Sequence, residues 1–419
     1  MTHQAIEQHQ LSQLRNLVSL LKASNPFYRE KLGEVEISPE MSLAELLLQI
    51  PFTTKNELIA DQAANPPWGT NLTFPQVAYS RFHQTSATTG QPMRWLDTPV
   101  SWGEMLNCWR EVYRACGVSG GDTVFFAFSF GPFLGFWTAF EAANQLGALT
   151  IPGGSLSSKA RVELILTSQA TALCCTPTYA IRLGEVAREA DLDLSASCLK
   201  AIIVAGEPGG SVPEIRSRIE GLWPGATVYD HHGMTEMGPV SYPCPANPMT
   251  LHVLSRYYIA EILPPEGDGT TLPEGQGELI LTNLFRHGSP LLRYRTGDLV
   301  DLTVGAACSC GTHNASLRGG ILSRVDDMVT IRGVNIYPAA LERVVREFPE
   351  IREFQVRVTR VRDMDELSVH IEIAEEGEGN TAKALQNRLQ DHFNLRIPVK
   401  IAADLPRFEM KAKRWIKES

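Results

Sequence analysis

Residues 85–90, Thr-Ser-Ala-Thr-Thr-Gly, place four hydroxyls and a glycine in a stretch with almost no side-chain bulk. Such a run turns tightly and can aim hydroxyls and backbone N–H groups at one anion, a phosphate above all. The same residues also make an ordinary solvated turn, so the rest of the chain has to decide their use. The loop lacks the Gly-Lys-Ser/Thr ending of a Walker loop, which argues against a nucleotide triphosphatase of that type. In Tyr229-Asp-His-His-Gly-Met-Thr-Glu-Met-Gly238, the hydroxyl of Thr235 stands beside the carboxylate of Glu236. Thr235 can donate to a phosphate, and Glu236 offers the oxygen that magnesium prefers. Asp230, His231, His232 and Gly233 lead into this pair, and Ala205-Gly-Glu-Pro208 is another polar loop, with Gly206, Glu207 and Pro208 open to a ligand. Both loops also read as capped, solvated turns. In Arg293-Tyr-Arg-Thr-Gly-Asp298 the aspartate either closes the turn or accepts from two vicinal ribose hydroxyls.

Eight cysteines add a further set. Cys108, Cys116, Cys174, Cys175 and Cys198 fall in periodic apolar segments and are most simply core residues. Cys244, Cys308 and Cys310, with His252 and with His313 as the substitute, have the composition of a closed tetrahedral zinc site. The spacing is not that of a Cys-x-x-Cys pair, and a Cys-x-Cys disulfide would be strained.

These loops need a frame. Apolar runs at 123–128, 172–176, 201–204 and 227–229 alternate with helical stretches at 133–146, 159–169, 179–190 and 212–222. Buried strands alternating with helices predict parallel sheets covered on both faces. The loops at 205–208 and 229–238 then lie beyond the C-terminal strand ends, where such sheets bind ligands. Ahead of this part, Leu11, Leu14, Leu17, Val18 and Leu21 mark an amphipathic helix over 5–22, followed by short helices at 27–32 and 41–50. Alternating runs at 258–263 and 277–282 predict an antiparallel β subdomain at about 240–320. After a break near 324–333, a helix at 339–348, strands at 354–359 and 367–373, a helix at 381–393 and a strand at 399–402 make a small α+β unit. The expected fold is α/β: a large N-terminal domain (1–325) with mostly parallel sheets plus the β subdomain, and a small mobile α+β C-terminal domain (326–419).

The composition is that of an ordinary globular protein, 43% hydrophobic and 20% charged over 419 residues. A net charge of −9 with no long basic run argues against nucleic acid as a partner. No apolar run is long enough to span a membrane, and the N-terminal residues do not read as a signal peptide, so a cytoplasmic protein is expected.

Taken in order, these motifs resemble the adenylate-forming enzymes, and within them the phenylacetate–CoA ligase group. The matching pieces are Thr85-Ser-Ala-Thr-Thr-Gly-Gln-Pro92, Ala205-Gly-Glu-Pro208, His232-Gly-Met-Thr-Glu-Met-Gly238 and Tyr294-Arg-Thr-Gly-Asp-Leu299. Residues 324–338 and Glu409-Met-Lys-Ala-Lys-Arg414 continue the series, and 26–32 and 52–58 extend it to nearly the whole chain. The resemblance implies two half-reactions: ATP and a carboxylic acid give an acyl-adenylate and pyrophosphate, and the thiol of coenzyme A then displaces AMP. By position, Thr85, Ser86, Thr88, Thr89 and Gly90 would hold the β- and γ-phosphates, and Thr235 the α-phosphate. Glu236 would bind magnesium, Asp298 the ribose, and Arg324 a phosphate or the ribose. Lys411 would bridge the reacting carboxylate and the α-phosphate, and Asp326 would be the hinge of the mobile domain. Similar cysteines occur in the group, which favours the zinc reading of Cys244, His252, Cys308 and Cys310.

The group's acid pocket is built partly from the aromatic run 125–137, and Phe133 and Phe136 are the expected walls for an aryl or arylacetic acid such as phenylacetate. Three positions depart from the pattern: Ala87 for a glycine, Gln91 for a lysine, and His232 where a tyrosine commonly stacks on adenine. Two other readings stay open: transfer to a carrier-protein thiol or an amine, and a non-catalytic nucleotide-binding relative. A homodimer is compatible with the sequence.

Overall fold

The computed structural model describes residues 1–85, 92–265, 269–325, 327, 329–331, 334–361, 364–373, 380–407 and 414–418. A five-stranded parallel sheet carries the first half, in the order Leu149–Pro152, Thr123–Phe126, Ala172–Cys175, Ala201–Val204, Thr227–Asp230. Ala172–Cys175 and Ala201–Val204 are buried throughout, as expected of strands with helices on both faces. Because the strands run parallel, the loops after 126, 204 and 230 emerge at one edge. The expected parallel α/β architecture is present.

Two elements of this half were not anticipated. The helix Pro99–Ala115 starts as helices should, with Thr98 accepting from Ser101 N–H and a proline in its first turn. It buries Trp102, Met105, Leu106, Trp109, Val112 and Tyr113, a stripe at helical spacing. The strand Leu149–Pro152 is short, lies at the sheet edge and keeps Leu149 exposed, so it carries no apolar run to betray it. Conversely, the helix expected over 133–146 begins only at Trp137, since Gly131, Pro132 and Gly135 hold the chain in a loop before it.

A seven-stranded antiparallel sheet follows. Tyr258–Leu263 pairs with Gly275–Asn283, which pairs with Tyr294–Thr303, and the latter also takes Ser323–Arg324 with Asp298 opposite Arg324. The expected antiparallel pairing of 258–263 with 277–282 is observed. The N-terminal helices His3–Ser24, Pro26–Lys31 and Leu43–Gln49 pack on this sheet, with Leu14, Leu17, Leu21 and Tyr28 meeting Ile259, Leu284 and Leu292. Gln10 pins the first helix by donating to Ser255 O and Tyr258 O at 2.8 and 2.9 Å.

The C-terminal part is a four-stranded sheet in the order Val399–Ile401, Met364–Ile373, Ile351–Val361, Trp415–Glu418, covered by Pro338–Arg346 and Thr381–Phe393. It meets the parallel half through Arg218, which donates to Ile351 O at 3.1 Å, and Arg414, which reaches Thr178 Oγ1 at 3.5 Å. Among the described residues, no helix is long and apolar enough to cross a membrane.

Candidate functional site

The turn after Thr227–Asp230 is a miniature hairpin, Gly233–Met234 against Gly238–Pro239, with Thr235, Glu236 and Met237 at its tip. Gly238 sits at φ 86°, and a Cβ there would press on Met105 Sδ, so the hairpin needs glycine at this corner. All three tip carbonyls are taken. Arg286 Nη1 donates to Thr235 O and to Glu236 O, each at 2.7 Å. Met237 O accepts from Tyr258 Oη at 2.7 Å and Asn283 Nδ2 at 3.0 Å. With its backbone held this way, Glu236 is only 8% exposed, and among the described residues nothing donates to its carboxylate. A largely enclosed carboxylate that takes no donor from the described residues is the kind of hard oxygen ligand that suits a divalent cation such as magnesium.

Asp298 stands beside this turn. Its Oδ2 accepts from His232 Nε2 and its Oδ1 from Arg324 Nη1, both at 3.0 Å. His232 Nε2–H thus points at Asp298, and its Nδ1 is buried with no partner among the described residues. Each carboxylate oxygen retains a second lone pair for a hydroxyl donor. Thus His232, Asp298 and Arg324 form one hydrogen-bonded set beside the turn that carries Glu236, although 92 residues separate its ends in the sequence, from 232 to 324.

Other expected site residues are placed differently. His231 lies in the core with its ring 4.3 Å from that of Trp109, and Nδ1–H donates to Ser241 O at 2.8 Å. Burial lowers its pKa to about 3, so it is a neutral imidazole. Asp230 is buried under the 209–211 loop, accepts from Ser211 Oγ at 2.6 Å, and has its pKa raised by burial. The Glu207 carboxylate takes Thr178 N–H at 2.8 Å, while Gly206 and Pro208 are exposed. Thr85 is tied into the hairpin Arg81–Gln84/Arg94–Asp97, accepting from Met93 N–H at 3.0 Å. Gln84 N–H donates to Pro132 O at 2.6 Å, which brings the aromatic loop against the base of the Thr/Ser loop. There Phe133 lies between Gly131 and Gly135, whereas Phe136 is 6% exposed and packed on Trp109 and Phe128. Ser86, Thr88, Thr89, Gly90, Asp326 and Lys411 lie outside the described residues.

Around the strand Thr250–Val253 of the antiparallel sheet, the ligand atoms of Cys244, His252, Cys308 and Cys310 lie within 4.8 Å of one another. His252 Nε2 is 3.3 Å from Cys310 Sγ, and its Nδ1 is held by Ser316 Oγ at 3.1 Å. His313 points to Gly305 O instead, so His252 is the imidazole of the set. Three sulfurs and one outer-shell-braced imidazole fit a tetrahedral zinc ion by type and number.

Residues 333–418 match the family of AMP-binding enzyme C-terminal domains. The phenylacetate–coenzyme A ligase of Pseudomonas putida is 32% identical over 382 residues, which is 89% of this chain and 83% of that protein. The chain belongs to the phenylacetate–CoA ligase family. The structure is also similar to a 2-hydroxyisobutyryl-CoA ligase in the postadenylation state with 2-HIB-AMP: TM-score 0.92 at 29% identity, over 100% of this chain and 90% of the other. The same ligase in the thioesterification state with 2-HIB-AMP and CoA gives 0.74 at 30% identity, over 100% and 91%. One enzyme in two states fits this ligase-family chain unequally, so the whole-chain arrangement here is closer to the postadenylation form.

Two residues that hold the site of this family member went unrecognised in the sequence. Arg286 reaches a turn 50 residues earlier in the chain, and its carboxylate partner Asp97 is 189 residues away. Nothing local marks either residue; only the absence of nearby charges around Arg286-His-Gly hints that the arginine is used inside.

Proposed function

We propose that this chain activates a small carboxylic acid with ATP as an acyl-adenylate and passes the acyl group to coenzyme A. The observation that carries the reading is the hydrogen-bonded set His232–Asp298–Arg324 beside the Glu236 turn, after the last strand of the parallel sheet, with a Glu236 carboxylate to which no described residue donates. Asp298 accepts the ribose hydroxyls, Thr235 meets the α-phosphate, and Arg324 serves phosphate or ribose. Thr85, Ser86, Thr88, Thr89 and Gly90 cradle the outer phosphates, flanked by the hairpin that ends at Asp97. When bound at Glu236, a magnesium ion neutralises charge on the phosphates during in-line attack. Lys411 brings a fixed positive charge to the carboxylate and α-phosphate in that step.

Residues 326–419 act as a lid that turns about Asp326, so that Lys411 leaves after adenylation and the thiol gains access. The fit to a postadenylation form supports this division of labour. Cys244, His252, Cys308 and Cys310 hold a structural zinc ion that ties the 304–313 loop to the antiparallel sheet. An aryl or arylacetic acid enters beside Phe133, the less buried of the two aromatic candidates; burying its ring contributes ~1.5–3 kcal/mol.

Pyrophosphate–ATP exchange across a panel of aryl, arylacetic and short hydroxy acids, with and without CoA, tests the reading. Exchange with one class of acid and a CoA thioester as product is the expected result. Exchange without thioester would move the acceptor to a carrier protein or an amine, and no exchange with any acid would remove catalysis altogether.

A further inference from the structure

Arg286 and Asp97 form a buried ion pair, 1% and 0% exposed. Nε and Nη2 of the guanidinium donate to the two carboxylate oxygens at 2.6 and 2.7 Å. The remaining nitrogen, Nη1, forks to Thr235 O and Glu236 O. One planar group is therefore bonded on one side to the last residue of the strand Arg94–Asp97 and on the other to the tip of the Glu236 turn. That strand and Arg81–Gln84 are the two arms flanking the Thr/Ser loop. Trp95 on the same arm lies 5.2 Å from the guanidinium, within cation–π range. Isolated buried ion pairs are poor stabilisers, because desolvation offsets their attraction. What distinguishes this one is that a single guanidinium joins the end of the strand Arg94–Asp97 to the tip of the Glu236 turn, which share no backbone hydrogen bond among the described residues.

We infer that Asp97 and Arg286 are positioning residues for the adenylation step, setting the separation between the hairpin Arg81–Gln84/Arg94–Asp97 and the Glu236 turn. The inference rests on the reading of Glu236 as the magnesium-side ligand. It adds a physical requirement: phosphates held by one loop and a cation held by the other can meet only if the loops are fixed to within a fraction of an ångström. A displacement of about 1 Å is enough to cost ~100-fold in rate. Lysine at 286 keeps the charge beside Asp97 but lacks the fork, so it cannot serve a carboxylate and two carbonyls together.

The test is Arg286→Lys, with Asp97→Asn as the gentler second variant, each checked for folding by circular dichroism. ATP affinity is measured by calorimetry with and without magnesium, alongside pyrophosphate–ATP exchange and thioester formation from supplied acyl-adenylate. In Arg286→Lys we expect the magnesium-dependent gain in ATP affinity to fall about tenfold and exchange to fall ~10–100-fold, with the thioester half-reaction within about twofold of wild type. Asp97→Asn should show the same split at smaller size. A folded variant in which both half-reactions are unchanged, or fall together, overturns the inference. Glu236→Gln separates the two levels. If it loses exchange while Arg286→Lys behaves as wild type, only the coupling fails. If Glu236→Gln itself keeps wild-type exchange and magnesium dependence, the reading of Glu236 fails and the coupling with it.

Discussion

The Glu236 turn and the Cys244–His252–Cys308–Cys310 cluster are both braced by the antiparallel sheet, yet they are built on opposite plans. In the cluster, four soft donors converge on one another, with Cys244 Sγ 3.6 Å from Cys308 Sγ. Four donors fill a tetrahedron and leave no position for a substrate. In the turn, every tip carbonyl is satisfied by Arg286, Tyr258 or Asn283, and the Glu236 carboxylate takes no donor from the described residues. A single carboxylate leaves most positions of a hard cation to phosphate oxygens and water. A closed donor set holds a fold together, and an open one admits chemistry.

The contrast breaks most readily at Glu236. Glu236→Gln keeps the side-chain volume and the carbonyl clamp but removes the charge. Adenylation should fall by about 10²–10³-fold, as when one electrostatic group is withdrawn from a preorganised site, while the melting temperature stays within about 2 °C. Pyrophosphate–ATP exchange and a thermal melt on the same preparation check this. A large drop in melting temperature would make Glu236 a structural residue like those of the cluster.

The mirror experiment is Cys310→Ser. Desalted wild-type protein should hold one zinc per chain, and the variant should lose it and melt lower by on the order of 5 °C, with kcat per folded molecule within about twofold. Substoichiometric zinc in the wild type would remove the metal, and an equal loss of kcat and stability would erase the contrast.

The two regions were unequally legible in the sequence, for a physical reason. Element types followed from period and composition: the buried runs 172–176 and 201–204 became central parallel strands, and the helix expected at 381–393 is Thr381–Phe393. Single motifs such as Thr235-Glu236 and Asp298 stand out in the sequence because their residue types suggest a chemistry. What joins them does not. His232 reaches Asp298 across 66 residues and Arg286 reaches Asp97 across 189, and no periodicity records a contact made by tertiary packing. The neighbours Asp230 and His231 show the same limit: strand-end polar residues can face a ligand or the interior, and both of these side chains are buried, His231 against Trp109. The choice of His252 over His313 was likewise a matter of register, since His252 lies on the strand Thr250–Val253, opposite Ser316.

A smaller effect is expected at Asp298, which is held from both sides before any nucleotide arrives. Asp298→Asn keeps an acceptor for one ribose hydroxyl but gives up the charge that orders Arg324 and His232. Loss of charge-assisted bonds of this kind costs roughly 1.5–3 kcal/mol, so the apparent KM for ATP should rise at least tenfold with kcat less affected. An unchanged KM would mean that Asp298 serves the strand pairing with Ser323–Arg324 and not the ribose.

The smallest effect concerns the histidine that the turn does not use. His231 is neutral in the fold, with a pKa of about 3 set by burial, against about 6.5 in an unfolded chain. Between these values the unfolded chain binds the extra proton, so stability is fully present above pH 6.5 and declines as the pH falls toward 3. At pH 5 the decline from this group amounts to ~2 kcal/mol. His83, lowered to about 4 by burial, adds in the same direction. His231→Asn should lower stability at pH 7, because the amide fills less space against Trp109, yet flatten the fall in stability between pH 6.5 and 5 without removing it. Denaturant melts at a series of pH values measure that slope. If the slope is unchanged, His231 is already charged or hydrated in the folded chain, and its packing against Trp109 and Gly233 is not a dry, neutral contact.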